Sequence, residues 1–356
     1  MRYLASAAIL ATATILAACS PGGGADKAAP AKGAEGAAGS GVVNLYTARH
    51  YDSDAQIYEA FTKATGIQIR KIELPADQLI ARLQAEGADS PADVLVIADA
   101  GAMGRAADAN LLQANASPTL ESKVAEHLRD PQHRWVAISR RARVVAYDNT
   151  KVKPEEVDTY EELASPRFKG KLCVRSSDNP YNLSLMSALI ERWGVEKART
   201  WARGVVANMA RQPQGGDIDQ IKAVGAGQCE VAITNSYYYL RLAKSDEAAN
   251  KALTSKVVLG WPSLDGRGAH VNVSGAGIAA NAPNKANAVT FVEFLLNPTS
   301  QAIFANATNE FPVVADTQTP ELVGKYAAMP ADPLPVSSYS KRQADAQRIF
   351  EEAGWR

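Results

Sequence analysis

Strand-like and helix-like segments alternate regularly from residue 42 to residue 97 of this chain. Residues 42–46 alternate weakly between apolar and polar side chains and are predicted as the first strand, and residues 67–72 as the second. Residues 94–97 are an apolar run of the kind that forms a buried strand. Between them, residues 54–65 and 77–86 have helical periodicity, and a glycine suited to ending a helix follows each. Strands that alternate with helices predict parallel pairing with right-handed crossovers. We therefore predict an α/β fold.

The rest of the chain continues this mixture. Further strands are predicted at residues 135–148, 171–175, 229–234, 257–259 and 270–279, and further helices at residues 183–193, 195–207, 218–225, 238–249, 285–296, 300–306 and 341–353. The first of these strands contains Arg140, Arg141 and Arg143 between apolar residues. Such charges either form a solvated face or line a cleft, and the pattern favours neither.

Length and charge restrict the class of protein. The chain has 356 residues, with 38 Lys and Arg against 38 Asp and Glu. A neutral chain of this size is typical of a globular protein with one large or two medium domains. No nucleic-acid partner is indicated, because no basic excess is present.

The N-terminus has the features of an export signal. Residues 1–18 form a short apolar segment that ends in small residues directly before Cys19. This arrangement is typical of a lipoprotein whose cysteine is lipidated, although a signal peptide with a chance cysteine fits as well. Residues 19–41, rich in Gly, Ala, Ser and Pro, are predicted to be a flexible tether to a membrane.

Two other cysteines, Cys173 and Cys229, remain after Cys19 is set aside. An even pair in an exported protein predicts a disulfide. Thiol ligation of a metal is the weaker alternative, because no CxxC spacing is present. Each cysteine precedes a tyrosine, Tyr181 or Tyr237, by eight residues.

Tyrosines follow several predicted strands. His50 and Tyr51 come after the first strand, Tyr181 after the Cys173 strand, and Tyr237 and Tyr238 after the Cys229 strand, with Asn235 or Ser236 placed to cap the next helix. Open α/β sheets bind ligands at the carboxyl ends of their strands. These aromatic residues are therefore candidates for a binding site, with simple packing at strand ends as the alternative.

A cluster of phenols has a specific chemistry. A phenol has a pKa near 10, so it binds a metal at neutral pH only where a strong positive charge displaces its proton. A trivalent hard ion such as Fe(III) provides that charge, and tyrosinate ligation of iron occurs in haem catalases. Zinc prefers His and Cys, and calcium prefers carboxylates and carbonyls.

Four segments resemble one known family. They are residues 46–51 (YTARHY), 170–177 (GKLCVRSS), 235–238 (NSYY) and 270–277 (HVNVSGAG). Together they are similar to the ferric-iron-binding proteins of bacterial ABC iron-uptake systems, and the similarity extends over nearly all of residues 42–356.

The resemblance implies a set of metal ligands. The paired tyrosines correspond to Tyr237 and Tyr238, and the other ligands to Tyr51, Tyr181 and, in some members, His50. Four tyrosinates with Fe(III) leave one negative charge, which Arg49, Arg141 or Arg143 would offset. The sequence leaves open whether His50 ligates, whether an anion binds with the metal, and whether Fe(II) is the bound state.

The resemblance also implies the architecture and the partners. We expect a two-lobe periplasmic binding-protein fold of type II that closes by hinge motion. Residues 42–143 with 270–314 would form the N-terminal lobe, and residues 144–269 with 315–356 the C-terminal lobe. The expected protein is a monomer that delivers iron to an inner-membrane ABC permease.

Three alternative functions differ in how well the sequence supports them. The first is a binding protein of the same fold for a small organic or anionic solute, with tyrosines stacking and arginines pairing with it. An exported enzyme is not supported, because the sequence has no GxSxG, HExxH, CxxC or P-loop pattern. A structural lipoprotein would leave the repeated tyrosines unexplained.

Overall fold

A computed structural model describes residues 41–356. The predicted signal segment, Cys19 and the tether up to residue 40 lie outside the described residues. The strands are β1 (Val42–Thr47), β2 (Gln68–Glu73), β3 (Val94–Ile97), β4 (Leu112–Gln113), β5 (Val136–Asp148), β6 (Leu172–Cys173), β7 (Val231–Asn235), β8 (Val257–Gly260) and β9 (Val271–Ala279).

The helices surround these strands. They are α1 (Asp54–Thr65), α2 (Ala76–Glu86), α3 (Ala100–Asp108), α4 (Pro118–Lys123), α5 (Pro180–Trp193), α6 (Val195–Asn208), α7 (Asp217–Gly225), α8 (Ser236–Ala243), α9 (Ala248–Lys256), α10 (Lys285–Phe294), α11 (Pro298–Ile303), α12 (Glu321–Ala327) and α13 (Gln343–Ala353).

The strands form one continuous mixed sheet. Its order is β2-β1-β3-β9-β5-β7-β6, with β4 added beside β9 and β8 beside β5. As predicted, β1 pairs with both β2 and β3 in parallel. The pairs that β9 makes with β3 and β5 are antiparallel.

The long strand β5 joins the two parts of the sheet. Its first half pairs with β9, up to Ala142 opposite Val271. Its second half pairs with β7, beginning with Arg143 opposite Asn235, and also with β8. Arg141 and Arg143 therefore lie at the place where the strand passes from one set of partners to the other.

The core explains why these elements hold together. All four residues of β3 are buried, as the apolar run Val94–Ile97 predicts. On one side of the sheet, α1 buries Phe61 against Phe291 of α10, with ring centroids 5.0 Å apart. Burial of apolar side chains of this size contributes about 2 kcal/mol each.

The predicted disulfide is confirmed. Cys173 at the end of β6 is bonded to Cys229, with Cα atoms 5.9 Å apart. Because β6 and β7 pair in parallel, the bond fastens two neighbouring strands just before the segments that carry Tyr181 and Tyr237.

Two predicted helix boundaries were wrong in ways that matter for the tyrosines. The helix predicted at residues 183–193 begins at Pro180, because the Asn179 side chain accepts a hydrogen bond from the Tyr181 amide and proline suits the first helical position. The helix predicted at 238–249 is two helices, α8 and α9. The Ser245 hydroxyl accepts from the Glu247 amide in the turn between them.

Other boundaries also differ. The strand predicted at 171–175 is only Leu172–Cys173. The helix predicted at 300–306 is α11 followed by a π-helical turn, Phe304–Thr308, and the last helix begins at Gln343 after a 3-10 segment, Val336–Arg342. Within residues 41–356 no helix is both long and apolar enough to cross a membrane.

Candidate metal centre

Three chain segments bring the predicted tyrosines to one place. Tyr51 lies in the turn between β1 and α1. Tyr181 is the second residue of α5, and Tyr237 and Tyr238 are in the first turn of α8, directly after β7. The sequence predicted each of them at a strand-to-helix connection.

Tyr51, Tyr181 and Tyr238 each contact Tyr237. The Tyr237 hydroxyl donates a hydrogen bond to the Tyr181 hydroxyl over 3.2 Å. The rings of Tyr237 and Tyr238 have centroids 4.2 Å apart, and the Tyr51 ring meets the Tyr237 ring edge-on with centroids 6.4 Å apart. We call Tyr51, Tyr181, Tyr237 and Tyr238 the phenol cluster.

The phenol cluster is covered on one side and open on the other. Tyr237 is 1% exposed, whereas the other three tyrosines are half-buried. His50 is exposed and its ring stacks on Tyr51, with centroids 5.6 Å apart. A cavity of about 530 Å³ is lined by His50 and Tyr181, so a small solute reaches the cluster from that side.

Burial keeps Tyr51, Tyr237 and Tyr238 protonated in the absence of a cation. Burial first, and the neighbouring phenols second, raise the pKa of Tyr237 well above 10, and burial raises the pKa of Tyr238 to about 12. The pKa of Tyr51 is raised in the same way by burial and by Glu310. A ligand that converts these phenols to phenolates must therefore supply a large positive charge.

Arginines surround the phenol cluster. The Arg49 guanidinium lies 4.8 Å from the centroid of the Tyr51 ring. Those of Arg141, Arg143 and Arg175 lie 5.9, 5.8 and 5.4 Å from the centroid of Tyr181. Arg49, Arg141 and Arg143 are each only 2% exposed. Of the two interpretations left open for the arginine run, Arg141 and Arg143 therefore fit the lining of a cleft.

Buried carboxylates hold these arginines in place. Arg49 bonds to Asp54 at 2.9 Å and to Glu310 at 2.8 Å. Burial opposes ionisation of Glu310, but Arg49 and Arg141 outweigh it and lower the pKa of that carboxyl. Arg49 also donates to the Ser274 hydroxyl of β9 over 2.6 Å, which links the Tyr51 turn to the central strands.

Another buried carboxylate forms ion pairs with the arginines near Tyr181. Asp217, at the start of α7, bonds to Arg143 at 2.8 Å and to Arg175 at 3.4 Å. Arg143 further donates to the side-chain oxygens of Asn182 and Asn235, over 2.8 and 3.1 Å. Asn235 or Ser236 was predicted to cap the helix after β7. Asn235 occupies the cap position, but its side chain makes no capping bond and accepts a hydrogen bond from Arg143 instead.

Arg175, Asp217 and Glu310 were not predicted as part of the site. Arg175 lies in the segment 170–177 that carries the family resemblance, and its position shortly before Tyr181 was a signal. Asp217 and Glu310 carried no local signal, because each meets its arginine partners only after folding. The other three histidines, His127, His133 and His270, lie outside the phenol cluster.

The chemistry of the centre is that of phenols. Within residues 41–356, no group of three or more His, Cys, Asp or Glu side chains is arranged to hold a metal ion. The convergent oxygens in this region of the fold are the four hydroxyls of the phenol cluster.

Comparison with known proteins decides the family. Residues 89–330 match the family described as bacterial extracellular solute-binding protein. The chain belongs to this family. It is 43% identical to iron uptake protein A1 of Synechocystis over 88% of this chain and 87% of that protein.

Solved structures of this family confirm the fold. A Trichodesmium protein in complex with iron and citrate ligands superposes with a TM-score of 0.84 at 45% identity, over 88% of this chain and all of that one. A Campylobacter jejuni ferric binding protein superposes with a TM-score of 0.83 at 36% identity, over 88% of this chain and 100% of its own. The predicted two-lobe binding-protein fold of type II and the predicted resemblance are confirmed.

Proposed function

We propose that this protein binds one Fe(III) ion as cargo in the phenol cluster and delivers it to an ABC permease of the inner membrane. Tyr51, Tyr181, Tyr237 and Tyr238 are the proposed ligands. The observation that carries the proposal is the contact among four phenols from three separate segments, surrounded by buried arginines. Relatives named for iron uptake and ferric binding support it.

The protonation of the phenols favours a trivalent ion. The raised pKa values of Tyr51, Tyr237 and Tyr238 mean that these ligands give up protons when the metal binds, so affinity falls as pH falls. A smaller charge displaces these protons less effectively, so we propose Fe(III) rather than Fe(II) as the bound state. We propose His50, which is exposed beside Tyr51, as an additional ligand from the open side of the cluster.

Charge balance supports four phenolates. Fe(III) with four phenolates carries one net negative charge. Arg241, 5.9 Å from the centroid of the Tyr238 ring, is exposed to solvent and is left out of the count. The ion-paired side chains beside the cluster are four arginines, at positions 49, 141, 143 and 175, and three carboxylates, at 54, 217 and 310. They carry one net positive charge, so the loaded centre is neutral as a whole, which lowers the cost of burying it.

The proposed role is transport rather than catalysis. The bacterial relatives are solute-binding proteins, and we infer a periplasmic location with Cys19 as a lipid anchor on the strength of the N-terminal sequence. Tyr51 would come from the N-terminal lobe and the other three tyrosines from the C-terminal lobe. Metal binding and lobe closure are then a single event.

Three consecutive tyrosines, Tyr237 to Tyr239, provide a variant and a matched control for iron ligation. Tyr237→Phe removes a proposed ligand and keeps the ring, whereas Tyr239→Phe changes the neighbouring buried tyrosine, whose ring faces Tyr326 instead. In competition with a ferric chelator, Tyr237→Phe should weaken Fe(III) binding by about a hundredfold, or about 3 kcal/mol. Tyr239→Phe should change it little.

The same two variants distinguish iron ligation by Tyr237 from a simple packing role. If Tyr237→Phe and Tyr239→Phe bind iron equally well, the tyrosine at 237 is a packing residue and ferric ligation at this cluster is contradicted. Retention of an organic or anionic solute by both variants would then favour a solute other than iron.

A further inference from the structure

Arg140 lies on the side of β5 that faces away from the phenol cluster. Successive side chains of a strand point to opposite faces, so Arg140 and Arg141 diverge. Arg141 approaches Tyr181, whereas Arg140 pairs with Phe311 and lies 5.6 Å from the centroid of that ring. The proposed iron site makes no use of Arg140.

The charge of Arg140 has no carboxylate partner among residues 41–356. Its Nε donates to the Pro312 carbonyl at 3.1 Å, and its Nη2 donates to the Ala327 carbonyl at 2.9 Å. Its Nη1 donates to no acceptor in the described chain. The Nε atoms of Arg141 and Arg143 also lack a partner, but they are buried, whereas Nη1 of Arg140 is not. Nη1 is thus an accessible, uncommitted donor of a half-buried cation.

A cavity and a second basic side chain adjoin this donor. Arg140 and His127, from the 3-10 turn Glu126–Leu128, line a cavity of about 550 Å³. Burial and then the charge of Arg140 lower the pKa of His127, and the smaller effect of Asp332 opposes them. Two basic groups are therefore placed together on one cavity wall.

The acidic groups of the cavity do not neutralise them. Asp332 is buried and engaged by Arg192, whose Nε donates to it over 3.0 Å, and by the Leu334 amide. Asp316 also lines the cavity, but it is exposed to solvent and makes no ion pair with Arg140. A half-buried guanidinium without a counterion favours binding of an anion from solution.

We infer that Arg140 and His127 form a binding site for a small oxyanion on the face of β5 opposite the phenol cluster. Phosphate and carboxylates share the required chemistry, since each accepts hydrogen bonds from a guanidinium and from the N–H of an imidazole. The site is separate from the proposed iron site and does not depend on it. It places an anion against the strand that joins the two parts of the sheet.

Histidine NMR spectra test this site directly, since the chain has only four histidines. The iron-free protein is titrated with inorganic phosphate and, separately, with acetate, while the ring signals of His50, His127, His133 and His270 are followed. We expect a saturable shift of the His127 signal. Anion binding among the cleft arginines would instead shift the His50 signal, and the stronger of the two titrants identifies the class of oxyanion.

Variants make the result decisive. Arg140→Gln should abolish the His127 shift, whereas Arg267→Gln, a change at an exposed arginine, should leave it unchanged. If Arg140→Gln does not fold, Arg140→Lys is the test. Lysine cannot donate the paired hydrogen bonds of a guanidinium, so this variant should bind phosphate at least about tenfold more weakly. The site is refuted if His127 shows no saturable shift in the wild type, or the same shift in the Arg140 variant.

Discussion

At the scale of single residues, the proposed iron site depends on charges held close to phenols. Arg175 is the arginine nearest to the Tyr181 ring, at 5.4 Å, and Asp217 fixes it from the far side. An arginine so placed stabilises a phenolate and offsets the negative charge of the loaded centre. It does so without contributing a ligand atom.

Replacing Arg175 tests this electrostatic role. We expect Arg175→Gln to weaken Fe(III) binding by about tenfold, or about 1.4 kcal/mol, because one compensating charge is lost at a partly solvated position. Arg175→Lys keeps the charge and should retain most of the affinity. Chelator competition measures both, and equal losses in the two variants would show that the side chain acts through its shape instead.

His270 offers a prediction about acid stability. It is buried between the Ser184 hydroxyl, 3.1 Å from Nε2, and the Tyr339 hydroxyl, 3.3 Å from Nδ1. Burial, then the charges of Arg143 and Arg141, lower the pKa of His270 to about 3. As pH falls below about 6.5, His270 takes up a proton in the unfolded chain but stays neutral in the folded chain.

This histidine should therefore cost stability in acid. Between pH 7 and pH 5 the wild type should lose about 2 kcal/mol more of its free energy of unfolding than His270→Gln, which has no proton to take up. Denaturant titrations at both pH values measure the difference. Parallel losses in the two proteins would mean that His270 does not control the acid sensitivity.

At the scale of elements, the disulfide between β6 and the start of β7 holds together the segments that present Tyr181 and Tyr237. It spans 56 residues of sequence, and closure of a loop of that size stabilises the fold by at most about 4 kcal/mol. The double variant with Cys173→Ala and Cys229→Ala should lower the free energy of unfolding by about 2 to 4 kcal/mol in urea. The oxidised wild type is the reference, and equal stability of the two would contradict this role.

Elements with a local signal were predictable from the sequence. The helix Asp54–Thr65 was predicted with its observed ends, because Gly66 adopts the left-handed conformation that terminates it. The strand Val94–Ile97 was equally clear, since all four of its residues are apolar and buried. The tyrosines were found because each follows a strand that such signals locate.

What the sequence did not reveal depends on distant partners. Asn235 is a good helix cap by residue type, yet Arg143 from another strand takes its side-chain oxygen. Asp217 lies 42 residues after Arg175 and 74 after Arg143, so nothing local indicates that it bonds to both. The arginine and carboxylate environment of the phenol cluster is a product of the tertiary fold.

At the scale of the whole molecule, the account predicts that iron closes the protein. Tyr51 and the other three tyrosines are proposed to come from different lobes, so the full ligand set forms only in the closed form. Small-angle X-ray scattering should show a smaller radius of gyration for the iron-loaded wild type than for the iron-free protein. Tyr51→Phe should bind iron more weakly and stay expanded, and unchanged closure in that variant would argue against a bridging role for Tyr51.

The central claim is that Fe(III) is held by phenolates of the phenol cluster. Its most direct test is a visible absorption spectrum of the mature protein during titration with a weak ferric chelate. The account predicts a phenolate-to-iron charge-transfer band that saturates at one iron per chain and is diminished by Phe variants at Tyr51, Tyr181, Tyr237 and Tyr238. A folded protein that stays colourless throughout the titration would contradict ferric tyrosinate binding.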